Sequence, residues 1–438
     1  MTAHGVVDSG SSRTGTAESR SRHRENYEGE SGLVSAADHD ASERRFAALD
    51  GLRAIAILWV IVHNTGSPAE GPSGIALKLW IVVSNAGWAG VQLFFALSGF
   101  LITTILLDGK GGDHWLRSFY ARRLLRIVPL YYLFLVAMLF IVPHVPALHL
   151  LTTPGHRTTF WYWSYLSNWI APFGGLVAYT PQVWSLAVEE QFYLAWPFVI
   201  ASLGERALAR TCVAMVVSAF FTRALLHAAW PSQIGSDAAY EFTIARWDTI
   251  ALGALVALAV RHEWIEYRLR KHLLGISISV TSLLLAATVL QRGLPPRGLV
   301  AELVNQPLTG MCSALLVFIC VARPSPAPKV TKLQHAVRSA LSARWLAIIG
   351  KYSYAIYLFH TPVHRVIQPY ALPWLIAGGP GYRFVAYFAY CTLVLGLSLS
   401  LALLTWNLVE QPFLSLKRHF PMPPSPQRTI GQNVVVRV

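Results

Sequence analysis

Titratable side chains interrupt several long apolar stretches of this sequence. They are His63, the adjacent pair Glu189 and Glu190, Arg223 and His360. A charged side chain in the middle of a membrane span costs at least about 2.5–3.5 kcal/mol on insertion scales. Charged side chains that are present in a span despite this cost indicate a catalytic site or a substrate pathway.

The histidines offer a general base. Imidazole titrates near neutral pH, so it can take the proton from a hydroxyl group that attacks a thioester. A neighbouring carboxylate can orient the ring, and an arginine can stabilise an oxyanion. Either His63 or His360 suits this role. A single membrane histidine can also serve only as an interhelical hydrogen-bond partner.

The two glutamates have different expected roles. Neighbouring residues on a helix point about 100° apart, so at most one of Glu189 and Glu190 faces a common site. The other is expected to bind Arg223 or Arg246.

A second group of candidates is basic. Arg123 and Arg126 are three residues apart at the start of an apolar run, and on a helix that spacing places them on one face. Two guanidinium groups on one face can clamp a phosphate. The alternative is a plain anchor on the cytoplasmic side of the membrane.

The composition of the chain indicates the kind of structure that holds these residues in place. Of 438 residues, 54% are hydrophobic and 13% are charged, against about 25% charged in soluble domains. The net charge of +14 does not indicate nucleic-acid binding, because the basic residues cluster at the ends of apolar runs. The four cysteines lie inside apolar segments without metal-ligand spacing, so we expect them to pack in the core and expect no metal.

The apolar runs predict an all-α polytopic membrane protein with about ten transmembrane helices. Basic residues collect in alternate loops, which places both the N and C termini in the cytoplasm. We predict a disordered cytoplasmic tail over residues 1–43, a transmembrane domain over 46–413 and a cytoplasmic C-terminal tail over 414–438. The Pro-rich stretch 323–345 is predicted to be a solvated linker. The ten predicted spans lie near residues 50–66, 86–107, 124–143, 182–203, 210–229, 246–260, 272–291, 303–322, 346–367 and 384–409.

Helix rise then gives the depth of each polar residue. At about 1.5 Å per residue, His63, the two glutamates, Arg223 and His360 all fall in the outer half of the bilayer. We therefore predict that they share one polar cavity.

Five sequence segments resemble, in chain order, the acyltransferase family 3 of membrane O-acyltransferases. The resemblance extends over residues 46–413. The segments are Leu49-Asp-Gly-Leu-Arg-Ala-Ile-Ala56 followed by His63, Phe94-Phe-Ala-Leu-Ser-Gly-Phe-Leu-Ile102, Phe119-Tyr-Ala-Arg-Arg-Leu-Leu-Arg-Ile-Val-Pro129, Trp184-Ser-Leu-Ala-Val-Glu-Glu-Gln-Phe-Tyr193 and Tyr352-Ser-Tyr-Ala-Ile-Tyr-Leu-Phe-His360.

The resemblance implies roles for four of these residues. The family's essential Arg and His of the first span match Arg53 and His63, and its acyl-CoA-linked Arg-x-x-Arg matches Arg123 and Arg126. Nine residues separate Arg53 from His63, one fewer than in the family's usual pattern, which leaves the two side chains about 80° apart on a regular helix. Either the first helix bulges or the histidine geometry differs.

The implied activity is O-acylation in the cell membrane. The donor would be acyl-CoA, acetyl-CoA in the usual case, and its pantetheine arm would reach about 15–20 Å from the arginines to the polar layer. The acceptor would be a hydroxyl of a glycan, a glycolipid or a secondary metabolite. We expect His63 to be the base, supported by Arg53 and one glutamate. The alternative function is a membrane transporter or flippase for a sugar-containing or anionic substrate.

Overall fold

A computed structural model describes residues 47–65, 75–145, 148, 156–170, 182–230, 233–377 and 382–422. Across these ranges the regular secondary structure is helical, which confirms the predicted all-α class. The predicted tail over 1–43 and most of the predicted C-terminal tail lie outside the described residues.

The predicted apolar runs form the long helices, and shorter helices lie between them. Their bounds are α1 Ala47–Asn64, α2 Ile75–Asn85, α3 Ala89–Gly109, α4 Trp115–Val136, α5 His156–Trp163, α6 Val183–Ser202, α7 Glu205–Ala229, α8 Gln233–Glu241, α9 Thr243–Ala259, α10 Glu263–Leu290, α11 Gln306–Val321, α12 Pro328–Leu341, α13 Arg344–Lys351, α14 Ser353–Ile376, α15 Arg383–Thr405 and α16 Gln411–Ser415.

In the described part of the chain, eight helical segments are long and apolar enough to cross a membrane. They contain α1, α3, α4, α7, α9, α10, α11 and α15, so the chain is a multi-pass membrane protein. The other two predicted spans correspond to α6, with 20 residues, and α14, with 24 residues, and both fall outside the apolar set. These two helices carry Glu189, Glu190 and His360, the polar residues noted in the sequence.

The central packing is between α3 and α9. A Cβ atom on Gly99 would lie 1.9 Å from the carbonyl oxygen of Ile250, and one on Gly253 would lie 2.1 Å from that of Ala96. Only glycine fits at such distances, so these residues let the two helix backbones touch, as small residues do in membrane bundles.

Residues 323–345 are not the solvated linker that their composition predicts. Pro328 begins α12, where its missing N–H costs nothing. Arg338 on this helix donates to the carbonyl oxygens of Ile319 and Ala322 at the end of α11. The helix therefore packs back onto the bundle.

Candidate active site

One cavity contains the predicted arginines. We call it the arginine cavity; its volume is about 110 Å³ and it lies between α1, α3, α4, α6 and α14. Its polar lining comes chiefly from Arg53, Ser98, Arg123, Arg126, Glu189 and Tyr193.

The arginines of this cavity have few anionic partners. Arg53 donates to Asp50 at 2.7 Å. Within the part of the chain that the structure describes, Arg123 and Arg126 make no hydrogen bond or ion pair. Instead, the Arg123 guanidinium lies 5.4 Å from the centre of the Tyr193 ring and 5.9 Å from that of Phe119. The two groups are therefore available to a bound anion.

The structure separates the two glutamates. Glu189 lines the arginine cavity and accepts a hydrogen bond from Ser98 Oγ at 2.7 Å, and Tyr193 Oη donates to Ser98 at 2.8 Å. Glu190 lies outside the lining of that cavity, and its Oε1 is buried with no hydrogen-bond partner among the described residues. Glu189 is the glutamate that faces the site.

The predicted pairing of a glutamate with Arg223 or Arg246 is wrong. Arg223 Nη2 donates to Asp248 at 2.7 Å, in a pair that is almost fully buried. Arg246 Nη1 donates to Gln306 at 2.5 Å. Both arginines therefore belong to a structural network between α7, α9 and α11, which leaves Arg223 with no place in the site.

A second, larger cavity holds His63. We call it the histidine cavity; its volume is about 600 Å³, and aromatic, amide and charged side chains line it. The polar and aromatic members of the lining are His63, Asn64, Trp88, Gln182, Trp184, Tyr240, Glu241, Arg297, Tyr357, Thr361, His364, Arg365 and Gln368.

His63 is oriented as a general base requires. Its Nδ1 lies 2.9 Å from the backbone carbonyl oxygen of Ser84. A carbonyl only accepts, so Nδ1 carries the proton and Nε2 has the free lone pair. No hydrogen bond to Nε2 is formed by the described residues. The ring is thus held at one nitrogen and can accept a proton at the other.

His360 has a different position. It is fully buried and lies outside the lining of the histidine cavity. Its Nδ1 donates to the Tyr357 carbonyl oxygen at 2.7 Å, and its Nε2 accepts from Asn64 Nδ2 at 2.8 Å. Both nitrogens are engaged, so His360 orients Asn64 beside His63 and is poorly placed to act as a base.

His364 was not identified from the sequence. It lines the histidine cavity, and its Nδ1 lies 2.9 Å from the hydroxyl of Tyr390. Its spacing of four residues from His360 on one helix was the available signal.

The predicted single polar cavity is therefore wrong. Glu189 lies with the arginines in one cavity, His63 lies in another, and Arg223 is in neither. The spacing of Arg53 and His63 explains part of this separation, because α1 is a regular α-helix from Ala47 to Asn64. Ten steps of about 100° turn the two side chains to different faces, so the helix does not bulge and the histidine geometry differs.

No group of three or more His, Cys, Asp or Glu side chains in the described ranges has the geometry to hold a metal ion. The groups best placed for chemistry are the guanidinium groups of Arg123 and Arg126, the Glu189 carboxylate and the oriented His63 imidazole. Fold and site together define a helical membrane protein with two adjoining polar cavities.

The chain belongs to the acyltransferase domain family, whose model matches residues 46–405. Among curated relatives, the chain is 30% identical over 352 residues to the peptidoglycan O-acetyltransferase OatA of Listeria monocytogenes, an alignment that covers 75% of this chain and 51% of the relative. It is 26% identical over 340 residues to the O-acetyltransferase OatA of Staphylococcus aureus, with 75% and 52% covered. The chain thus spans about half the length of these relatives. No solved structure matches it.

Proposed function

We propose that this protein moves an acyl group, acetyl in the first instance, from acyl-CoA in the arginine cavity to an acceptor hydroxyl in the histidine cavity. The observation that carries this proposal is the pair of guanidinium groups, Arg123 and Arg126, that line the same cavity as Glu189 and have no hydrogen-bond or ion-pair partner among the described residues. Membership of the acyltransferase domain family supports the same reaction.

The donor would bind by charge. Each hydrogen bond between a guanidinium and a phosphate oxygen is charge-assisted and contributes about 1.5–3 kcal/mol. Arg53 is held by Asp50, so it adds positive potential without being the main contact. The thioester would then point along the cavity toward His63.

The acceptor would react in the histidine cavity. His63 Nε2 takes the proton from the acceptor hydroxyl as its oxygen attacks the thioester carbonyl carbon. The carbon–sulfur bond breaks, and the thiolate takes the proton to leave as free coenzyme A. Trp88, Trp184 and Tyr240 contribute aromatic surface to the lining of this cavity, and amide and charged groups of the same lining would supply hydrogen bonds to a sugar.

We propose a glycan as the acceptor, and peptidoglycan is the first to test because the Listeria relative is named for it. A glycolipid or secondary-metabolite hydroxyl is the next candidate.

The test is the release of free thiol from acetyl-CoA by purified protein, with and without soluble peptidoglycan fragments. Acceptor-dependent release together with labelled acetyl on the glycan is expected. Thiol release with no acetylated product would contradict transfer, and passage of glycan through vesicles with no thiol release would favour the transporter. The matched control is His63→Ala.

A further inference from the structure

The arginine and histidine cavities are separated by a wall one side chain thick. Val91 on α3 and Tyr357 on α14 line both cavities, the only described residues to do so. Along α3, Trp88 faces the histidine cavity and Ser98 the arginine cavity, a separation of about 15 Å by helix rise. A pantetheine arm spans that distance only if this wall lets it pass.

The hydroxyl of Tyr357 is hydrogen-bonded to the start of α6. Its hydroxyl donates to the carbonyl oxygen of Gln182 at 2.9 Å and lies 2.6 Å from Ser185 Oγ. Ser185 lines the arginine cavity and Gln182 lines the histidine cavity. The hydrogen bonds at the tip of this ring therefore join the two helices where the cavities meet.

The backbone of α14 beside Tyr357 also lacks one helical hydrogen bond. Pro362 lies inside α14 and has no N–H to donate to the carbonyl oxygen of Leu358, four residues earlier. Gln182 Nε2 donates to that oxygen instead, at 3.0 Å. Residues 182–185 thus make two kinds of contact with α14. They bind the hydroxyl of Tyr357, and they bind the backbone of the helical turn that carries Tyr357.

We propose that Tyr357 is the barrier between the two cavities, and that an acyl-pantetheine arm reaches His63 only when the contact of Tyr357 with Gln182 and Ser185 opens. This inference rests on the proposed function for the identity of the passing group, but not for the existence of the barrier. A closed barrier keeps water of the histidine cavity away from the thioester, which prevents wasteful hydrolysis. Val91 has a short, buried side chain, so the movable part of the wall is the tyrosine.

The barrier is tested without enzyme activity, by cysteine accessibility. Cys212, Cys312, Cys320 and Cys391 are first replaced by alanine. Single reporters are then placed in each cavity, Ser98→Cys in the arginine cavity and Gln368→Cys in the histidine cavity. A membrane-impermeant methanethiosulfonate reagent is applied to sealed vesicles from the side that labels the Gln368→Cys protein.

From that side, the Ser98→Cys reporter should stay unlabelled while Tyr357 is present, and should label at least about ten-fold faster after Tyr357→Ala, because the ring that separates the cavities is gone. The matched control is Tyr354→Ala, which removes a tyrosine one turn earlier that lines only the arginine cavity. This control should leave the reporter protected. Equal labelling with Tyr357 intact, or equal opening by Tyr354→Ala, would overturn the proposal.

Tyr357→Phe covers the case in which the alanine variant fails to insert. It keeps the ring and removes both hydrogen bonds, so labelling at a rate between the two extremes is expected, and an unchanged rate would count against the barrier. In parallel, Tyr357→Ala should raise acetyl-CoA hydrolysis without acceptor several-fold. If the labelling result holds while intact protein never uses acetyl-CoA, the barrier stands and the proposed reaction is the part that fails.

Discussion

The two ring nitrogens of His63 have different surroundings, and this difference determines what the residue can do. Nδ1 is held by the Ser84 carbonyl oxygen, whereas Nε2 is open to the histidine cavity. His360 has both nitrogens engaged. At this scale the structure distinguishes two histidines that residue type and helix depth alone leave equivalent.

We predict that His63→Ala lowers acyl transfer by about 10²–10⁴-fold, because a positioned general base contributes that much. Membrane insertion and protein yield should be unchanged. The measurement is acceptor-dependent thiol release at saturating acetyl-CoA. His360→Ala and His364→Ala are run beside it. Near-normal turnover in His63→Ala with loss in His364→Ala or His360→Ala would move the base to that histidine.

Arg123→Ala and Arg126→Ala should each raise the apparent KM for acyl-CoA about 10- to 100-fold, since each removes a charge-assisted contact of about 1.5–3 kcal/mol. Their kcat should change less than their KM. Arg122→Ala is the matched control, because this neighbour turns away and donates to the carbonyl oxygens of Lys417 and Phe420. Equal changes in donor and acceptor KM would indicate a folding defect instead.

At the scale of helices, Gly87 allows the chain before α3 to pack closely against His63. A Cβ atom on Gly87, in the turn before α3, would lie 2.7 Å from His63 Cβ and 2.4 Å from the carbonyl oxygen of Trp59. The backbone of α1 at Trp59 cannot move aside cheaply, because it is part of a helix. Gly87 therefore fixes how closely the start of α3 approaches His63.

Gly87→Ala is expected to push α1 and α3 apart and displace His63, and a displacement of about 1 Å at a reacting group can cost about 10²-fold in rate. Transfer activity should fall while the protein still inserts. Gly275→Ala, within α10, is the control, because nothing lies within 4 Å of the added Cβ. Full activity in the Gly87→Ala protein would show that the contact is relieved elsewhere.

The buried ion pair between Arg223 and Asp248 joins α7 to α9. Asp248→Ala should destabilise the protein by about 3–5 kcal/mol, because it leaves a guanidinium buried without its counter-charge. Thermal unfolding in detergent measures this change. Glu263→Ala, which breaks an exposed pair with Arg323, should cost no more than about 1 kcal/mol. Similar losses of stability in the two variants would show that burial does not make the Arg223–Asp248 pair more important than an exposed pair.

The sequence predicts the helices well and their contacts poorly. Apolar runs correctly predicted the bundle of membrane helices. The cost of charge in a span drew attention to Glu189 and His63, which the structure places in the linings of the two cavities. Helix rise gives a depth but not the direction in which a side chain points, so a common depth was wrongly taken to mean that the five polar residues share one cavity. The role of Pro362 beside Tyr357 could not be read either, because it depends on the donor that Gln182 supplies from another helix.

At the scale of the whole molecule, the proposed reaction would be divided between two cavities of the bundle. The guanidinium groups that suit a donor lie in one cavity and the oriented imidazole in the other, with Tyr357 between them. Everything in this arrangement lies within residues 46–405, the part that the family model matches.

The segment before this region should therefore be dispensable for the chemistry. Deleting residues 2–43 removes a polar stretch that precedes both the family match and the start of α1 at Ala47. Acyl transfer by the shortened protein should stay within a few-fold of the full chain, measured as thiol release per amount of inserted protein. The matched control deletes residues 2–53, which also removes the first turns of α1 with Arg53 of the arginine cavity and its partner Asp50, and should abolish transfer. If the shorter deletion inserts normally but is inactive, the first 43 residues take part in catalysis or donor capture, and the two cavities alone do not constitute the enzyme.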